Sequence, residues 1–115
     1  MIIETSGLKG LKSDLEHLDE VTTKLGFVRW QWEYYRATYD LKIIDPTTNA
    51  EYFLRTNARV ELGKLEAKDA ILVIEDSYIG ITTFPHGLDY ELPVPEPILT
   101  IAKQALTKLT QQLSL

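Results

Sequence analysis

Phe84-Pro85-His86-Gly87-Leu88-Asp89-Tyr90 is a stretch of this chain where an imidazole, a carboxylate and a phenol crowd within a few residues. An imidazole titrates close to neutral pH, so His86 on a proline- and glycine-kinked loop beside Asp89 and Tyr90 could act as a general base or hold a polar ligand. The plainer reading uses the same residues as structure: Pro85 and Gly87 make the turn, His86 bonds a backbone carbonyl, and Tyr90 packs as an anchor. A second set is Arg29, Arg36, Arg55 and Arg59, interleaved with Trp30, Trp32, Tyr34 and Tyr52. Basic and aromatic residues on one sheet face can hold single-stranded nucleic acid by stacking and phosphate contact. Glu33, Asp40, Glu51 and Glu61 lie among them, however, and cross-strand ion pairs account for the alternation more simply. Arg29 and Arg36 then remain as anchors for a small anion or a partner's carboxylate.

Other reactive chemistry is thin. Asp14, His17 and Glu20 follow at three-residue steps and could reach one ion from a helix face, but a charged outer face explains all three. There are no cysteines, which removes disulfides, thiolate catalysis and thiolate metal sites. Serines stand at 6, 13, 77 and 114, none in a nucleophile elbow, and no glycine loop is built to cradle a phosphate. Neither metal nor cofactor is expected, and the residues leave open whether the chain is an enzyme.

Composition narrows the class. The 115 residues suit one domain, and 44% hydrophobic against 25% charged residues is enough apolar material for a packed core. A net charge of −5 repels phosphate backbones, so nucleic acid is not the expected partner. The longest apolar run, Ala70 to Ile74, is far short of the ~20 residues that span a bilayer. The first seven residues carry no basic n-region or apolar h-region, so the expected setting is the cytoplasm rather than the membrane or the exterior.

The elements that must position these groups read as helix, sheet, helix. Leu8, Leu11, Leu15, Leu18, Val21 and Leu25 step by three or four and predict an amphipathic helix stopped at Gly26, started either by Ser6 or by a Ser13/Glu16 capping box that leaves Leu8 and Leu11 in a looser lead-in holding Gly7 and Gly10. Phe27 to Tyr34, Ala37 to Ile44 and Tyr52 to Leu62 alternate at period two, with Asp45-Pro46-Thr47-Thr48-Asn49 as a hairpin loop between the last two. Ala70 to Glu75 and Tyr78 to Phe84 predict two further strands. After Pro93, Pro95 and Pro97, the residues Ile98, Ala102, Ala105, Leu106, Leu109 and Leu113 define a second amphipathic helix. The expected fold is α+β: an antiparallel sheet of four to six strands with both helices on one face.

That arrangement leaves a problem on the other face. Phe27, Trp30, Trp32, Tyr34, Tyr35, Ile43, Ile44, Phe53, Ile71 and Val73 place large apolar groups at both parities, and two helices cover one side only. A homodimer joined through the sheet, with Trp30, Trp32, Tyr34 and Phe53 in the contact, would cover them. The alternative cover is the chain itself, through curvature of the sheet and the segment Pro85 to Pro97. The alternative function is to bind a small polar or anionic ligand, as a sensor or small enzyme, held by His86, Asp89, Tyr90, Arg29 and Arg36.

The Pro-His-Gly loop, the helix-to-strand entry Leu25-Gly26-Phe27, the strand Trp30-Gln31-Trp32 and the order of one helix, several strands and a final helix together resemble the YugN-like family of small bacterial proteins. The resemblance extends over nearly the whole chain, with Phe84 where a tyrosine is expected. It implies the same fold and a bacterial, cytoplasmic setting, and it carries no activity, cofactor or catalytic residue.

Overall fold

The computed structural model describes residues 1–4, 7–33, 35–65, 67–83 and 87–114, with 31–33 described by backbone alone. In chain order the elements are β1 (Ile2–Ile3), β2 (Lys12–Asp14), α1 (Leu15–Lys24), β3 (Val28–Glu33), β4 (Arg36–Ile44), β5 (Glu51–Leu62), β6 (Ile71–Thr83), β7 (Gly87–Asp89) and α2 (Glu96–Leu113). All seven strands join one antiparallel sheet, so the fold is α+β. Its body is a meander of β3, β4, β5 and β6. The outer edge of β6 is lined in turn by β2 at 71–73, β1 at 77–78 and β7 at 81–83. Seven strands exceed the four to six predicted because segments of two or three residues are too short to show a period. The two strands predicted over 70–84 are one, β6.

The first helix takes the later of its two predicted starts, with Leu8 and Leu11 in a lead-in before it. Gly7 and Gly10 adopt φ of 85° and 93°, a conformation that glycine alone accepts cheaply, and they break the helical path. The backbone instead docks on β6, with Gly10 N–H donating to the Ile74 carbonyl at 2.8 Å and Ile74 N–H to the Leu11 carbonyl at 2.9 Å. Leu8 still reaches the core, but from a turn. Asp14 rather than Ser13 caps α1, its carboxylate accepting from His17 N–H at 2.9 Å. Gly26, at φ 94°, ends α1 where the sequence places the stop.

Both helices lie over one face of the sheet. Leu15, Leu18 and Val21 of α1 and Ile98, Ala102, Leu106, Leu109 and Leu113 of α2 are buried with Ala37, Tyr39, Ile43, Tyr52, Leu54, Ala58, Val60, Leu72, Ile74 and Ile79 of the sheet. The Tyr39 hydroxyl donates to Asp19 of α1 at 2.8 Å, which fixes that side. Phe27 and Ile43 belong to this core as well, so two of the apolar residues in excess are accounted for here. The molecule measures 42 × 30 × 21 Å, and its thin dimension matches one helix layer on one sheet layer.

The hairpin between β4 and β5 sets their register. Asp45 N–H bonds the Ala50 carbonyl at 2.9 Å, and the Asp45 carboxylate accepts from Thr47 N–H at 2.9 Å and from Thr47 Oγ1 at 2.7 Å. These bonds, the hydroxyl first, hold the Asp45 carboxyl below the ordinary carboxylate range. A depressed folded-state pKa contributes stability above the unfolded value near 4 and loses it as pH falls through the folded value. We therefore expect Asp45→Asn to be less stable than the parent at neutral pH, with the difference narrowing by about pH 3. Urea unfolding at the two pH values checks this, and a constant difference would refute it.

Candidate functional site

The uncovered side of the sheet is built from cross-strand rows. Val28, Asp40, Arg55 and Tyr78 form one row, Trp30, Thr38 and Asn57 the next, and Arg36, Arg59 and Val73 the one beyond. Lys42, Phe53 and Gly80 lie on the opposite side of the first row. Alternation along each strand places these residues on one face, away from the helices.

The centre of this face is a closed polar network. Arg55 grips Asp40 with two of the three arms of its guanidinium, Nε to Oδ1 at 2.7 Å and Nη2 to Oδ2 at 2.8 Å, and Asp40 is only 5% exposed. The third arm, Nη1, donates to the Tyr90 hydroxyl at 3.2 Å. Alongside, Thr38 Oγ1 donates to Asn57 Oδ1 at 3.1 Å and Asn57 Nδ2 to the Tyr78 hydroxyl at 2.9 Å. The Tyr78 and Tyr90 rings meet edge to face at 5.0 Å and join the two branches.

Gly80 makes this possible. A methyl group there would lie 2.7 Å from the Tyr90 ring and 3.0 Å from the Asp89 carbonyl, so the ring lies where a side chain would otherwise be. Burial lifts the Tyr90 phenol above its ordinary value although Arg55 pulls the other way, and it stays protonated at neutral pH. Burial, then the Asp19 charge, raises Tyr39 in the same sense. The Asp40 bond keeps the Arg55 guanidinium firmly charged.

Of the residues singled out in the sequence, Tyr90, Arg36, Trp30 and Phe53 reach this face. Arg29 does not: its Nε lies 3.5 Å from Asp19 on the helix side. Asp89 accepts from Glu91 N–H at 2.8 Å and stays apart from the network. Arg36 and Tyr90 do not converge either, because Arg59 and Arg55, their contacts on β5, are four residues or about 14 Å apart. His86, Tyr34 and the Trp32 side chain lie outside the described residues. The carboxylates suggested for a metal have other uses, Asp14 as a helix cap and Glu20 in an ion pair with Lys24 at 3.0 Å. Asn57, Tyr78 and Gly80 escape sequence inspection, whereas Asp40 is one of the carboxylates named there for cross-strand ion pairs and does pair with Arg55.

The YugN-like family model matches residues 3–111. The chain belongs to the YugN-like family. It is 30% identical over 99 residues to the uncharacterized protein YlbA of Bacillus subtilis (strain 168), an alignment covering 85% of this chain and 81% of that one. It superposes on the crystal structure of the uncharacterized conserved protein YugN from Geobacillus kaustophilus HTA426 with a TM-score of 0.86 and 26% identity, over 99% of this chain and 95% of that one. Among the described residues of this YugN-like chain, no helix is long and apolar enough to cross a membrane.

Two substitutions test the network. Asp40→Asn strands a partly buried guanidinium and should cost roughly 2–3 kcal/mol in urea unfolding; a loss below about 0.5 kcal/mol would reduce the pair to an ordinary surface bridge. Gly80→Ala should cost about 1–3 kcal/mol by overpacking and displace the Tyr90 ring, read from its aromatic NMR shifts. Unchanged shifts would mean that Tyr90 is not seated on Gly80.

Proposed function

We propose that this chain is a non-enzymatic interaction module that pairs with a second copy of itself through the helix-free face of its sheet. The observation that carries this reading is the thickness of the molecule. With only one helix layer on the sheet, Val28 at 62%, Ile44 at 52% and Trp30 at 49% exposure stand on the same face as half-buried Phe53. Apolar groups gathered in this way on a soluble domain favour a protein partner.

A second copy is favoured by area and by charge. A broad face of 42 × 30 Å has room for the ~800 Å² per partner that stable complexes bury. Its rim carries both signs, Lys42 with Glu51 at 3.0 Å and Lys12 with Glu61 at 2.9 Å, so two copies can oppose unlike charges. The central groups bind one another, and the Tyr90 phenol stays protonated. They offer a firm surface rather than a reacting group. The Bacillus and Geobacillus relatives and the cysteine-free composition favour a bacterial cytoplasm as the setting.

Sedimentation equilibrium from low to high micromolar concentration should show the mass doubling. The double variant Val28→Lys, Ile44→Lys should remain folded by circular dichroism and sediment as a monomer. A parent protein that stays monomeric at high micromolar concentration, or a variant that still doubles, would end this reading.

A further inference from the structure

The two edges of this sheet are treated differently. The outer edge of β6 is covered by three short strands, while β3 pairs with β4 alone. Which backbone groups of β3 are left pointing outward follows from the ladder. Val60 N–H donates to the Tyr35 carbonyl at 2.7 Å and Asp45 N–H to the Ala50 carbonyl at 2.9 Å, so the odd-numbered positions along β4 bond toward β5. Its even-numbered positions bond toward β3, where Thr38 meets Trp30 and Asp40 meets Val28. The N–H and C=O groups of Arg29 and Gln31 therefore point away from the sheet, and no backbone hydrogen bond among the described residues reaches them.

This open stretch is closed at both ends. Phe27, the next outward position, already donates its N–H to the Thr22 carbonyl at 2.9 Å at the end of α1. On the other side, a bulge between Gln31 and Glu33 shifts the register with β4 and breaks the alternation. Between these ends, Val28 and Trp30 on the helix-free side are 62% and 49% exposed. A sheet edge invites a further strand unless charge or proline blocks it, and Val28 to Gln31 holds no proline and a single charge, Arg29.

We propose that β3 pairs antiparallel with β3 of a second copy, about a two-fold axis at Trp30. The ends of the open stretch select this register. An axis at Val28 would need the Phe27 N–H that Thr22 holds. One at Arg29 would set two arginines opposite each other, where like charges repel. One at Gln31 would carry Arg29 past the bulge to Glu33. With the axis at Trp30, Arg29 of each copy lies opposite Gln31 of the other, and each such pair exchanges two N–H···O bonds. The two Trp30 residues then meet at a close, non-hydrogen-bonded position that suits a cross-strand aromatic pair. Both meanders run on as one sheet with the helices of both copies on the same side. This axis is normal to the sheet, whereas an axis for pairing through the helix-free face lies in its plane. The edge contact therefore stands whether or not the faces pair, and the two together close at four copies. It is much smaller than the ~800 Å² per partner of a stable complex, so it forms at higher concentration than the face contact.

Amide hydrogen exchange followed by NMR, from tens of micromolar to millimolar protein, tests the edge. The Arg29 and Gln31 amides should exchange tenfold or more slowly at the upper end, while those of Val28 and Trp30, already in the ladder with β4, should change much less. Gln31→Pro removes one outward N–H and leaves the bonds to β4 in place, a change an edge strand tolerates, and in it the Arg29 amide should stay fast throughout. The chain has no cysteine, so introduced ones report a single contact. Arg29→Cys mixed with Gln31→Cys should cross-link through a short bismaleimide. Pairing of the helix-free faces cannot produce that product, because both positions fall on the helix side of the sheet. Circular dichroism confirms that each variant is folded. The proposal is overturned if the Arg29 and Gln31 amides exchange equally fast at both concentrations, if Gln31→Pro protects Arg29 as the parent does, or if the cysteine variants fail to cross-link. An edge filled only by a strand of another protein would give the first and last of these results.

Discussion

The register between β4 and β5 decides what both faces of this sheet are. It is closed by the Asp45 to Ala50 bond and braced by the Asp45 carboxylate on Thr47, with Asn49 at φ 60° completing the turn. A slip of one residue would send every side chain of one strand to the opposite face. For β5, Tyr52, Leu54, Ala58 and Val60 would leave the core, and Arg55 would pass beneath the helices without Asp40. Burying an uncompensated charge there costs several kcal/mol, on top of the lost apolar burial. The hydrophobic pattern and the ion pair therefore select the same register, and each reinforces what the turn begins.

Why the ion pair tolerates its position follows from the same geometry. Asp40 is nearly buried although no helix covers it, because Arg55, Tyr90 and their neighbours lie over it. Both carboxylate oxygens are bonded, while the Arg55 side chain keeps 28% of its surface in solvent. The desolvation penalty is thus smaller than it would be under a helix, and the bidentate geometry offsets much of it. The result is a sheet face whose central side chains are fixed by one another. A partner docking on it would freeze few additional rotamers, which removes one of the main costs of association.

The parts of the fold that were legible in the sequence are those with a long period. The α2 stripe, the alternation through β5 and the Gly26 stop all appear in the structure where the residues place them. Leu8 and Leu11 fit either a longer helix or a lead-in to a shorter one, and Gly7 and Gly10 decide for the lead-in by turning the chain so that a loop delivers Leu8 to the core. β1, β2 and β7 have too few residues to alternate, and they exist because β6 presents an edge to be paired. The face opposite the helices was legible in outline: Trp30 and Phe53 are on it, as are Arg36 and Tyr90. Its polar centre was legible only in part. Asp40 reads as a member of a cross-strand ion pair, but which arginine it meets follows only from the hairpin register, and Gly80 has no signal until Tyr90 is seen above it.

The unequal ends of this face constrain how two copies could meet. Phe53 and Ile44 lie toward one end of the strands, and Arg36, Arg59 and Glu75 toward the other. A two-fold axis parallel to the strands would set each end against itself, bringing Arg36 and Arg59 of the two copies together. An axis across the strands would set the apolar end of one copy against the arginine end of the other, where the guanidinium planes can lie on the Phe53 ring. The first arrangement stacks like groups on like at both ends, whereas the second sets unlike groups against each other. The unequal ends of the face therefore favour the crossed arrangement.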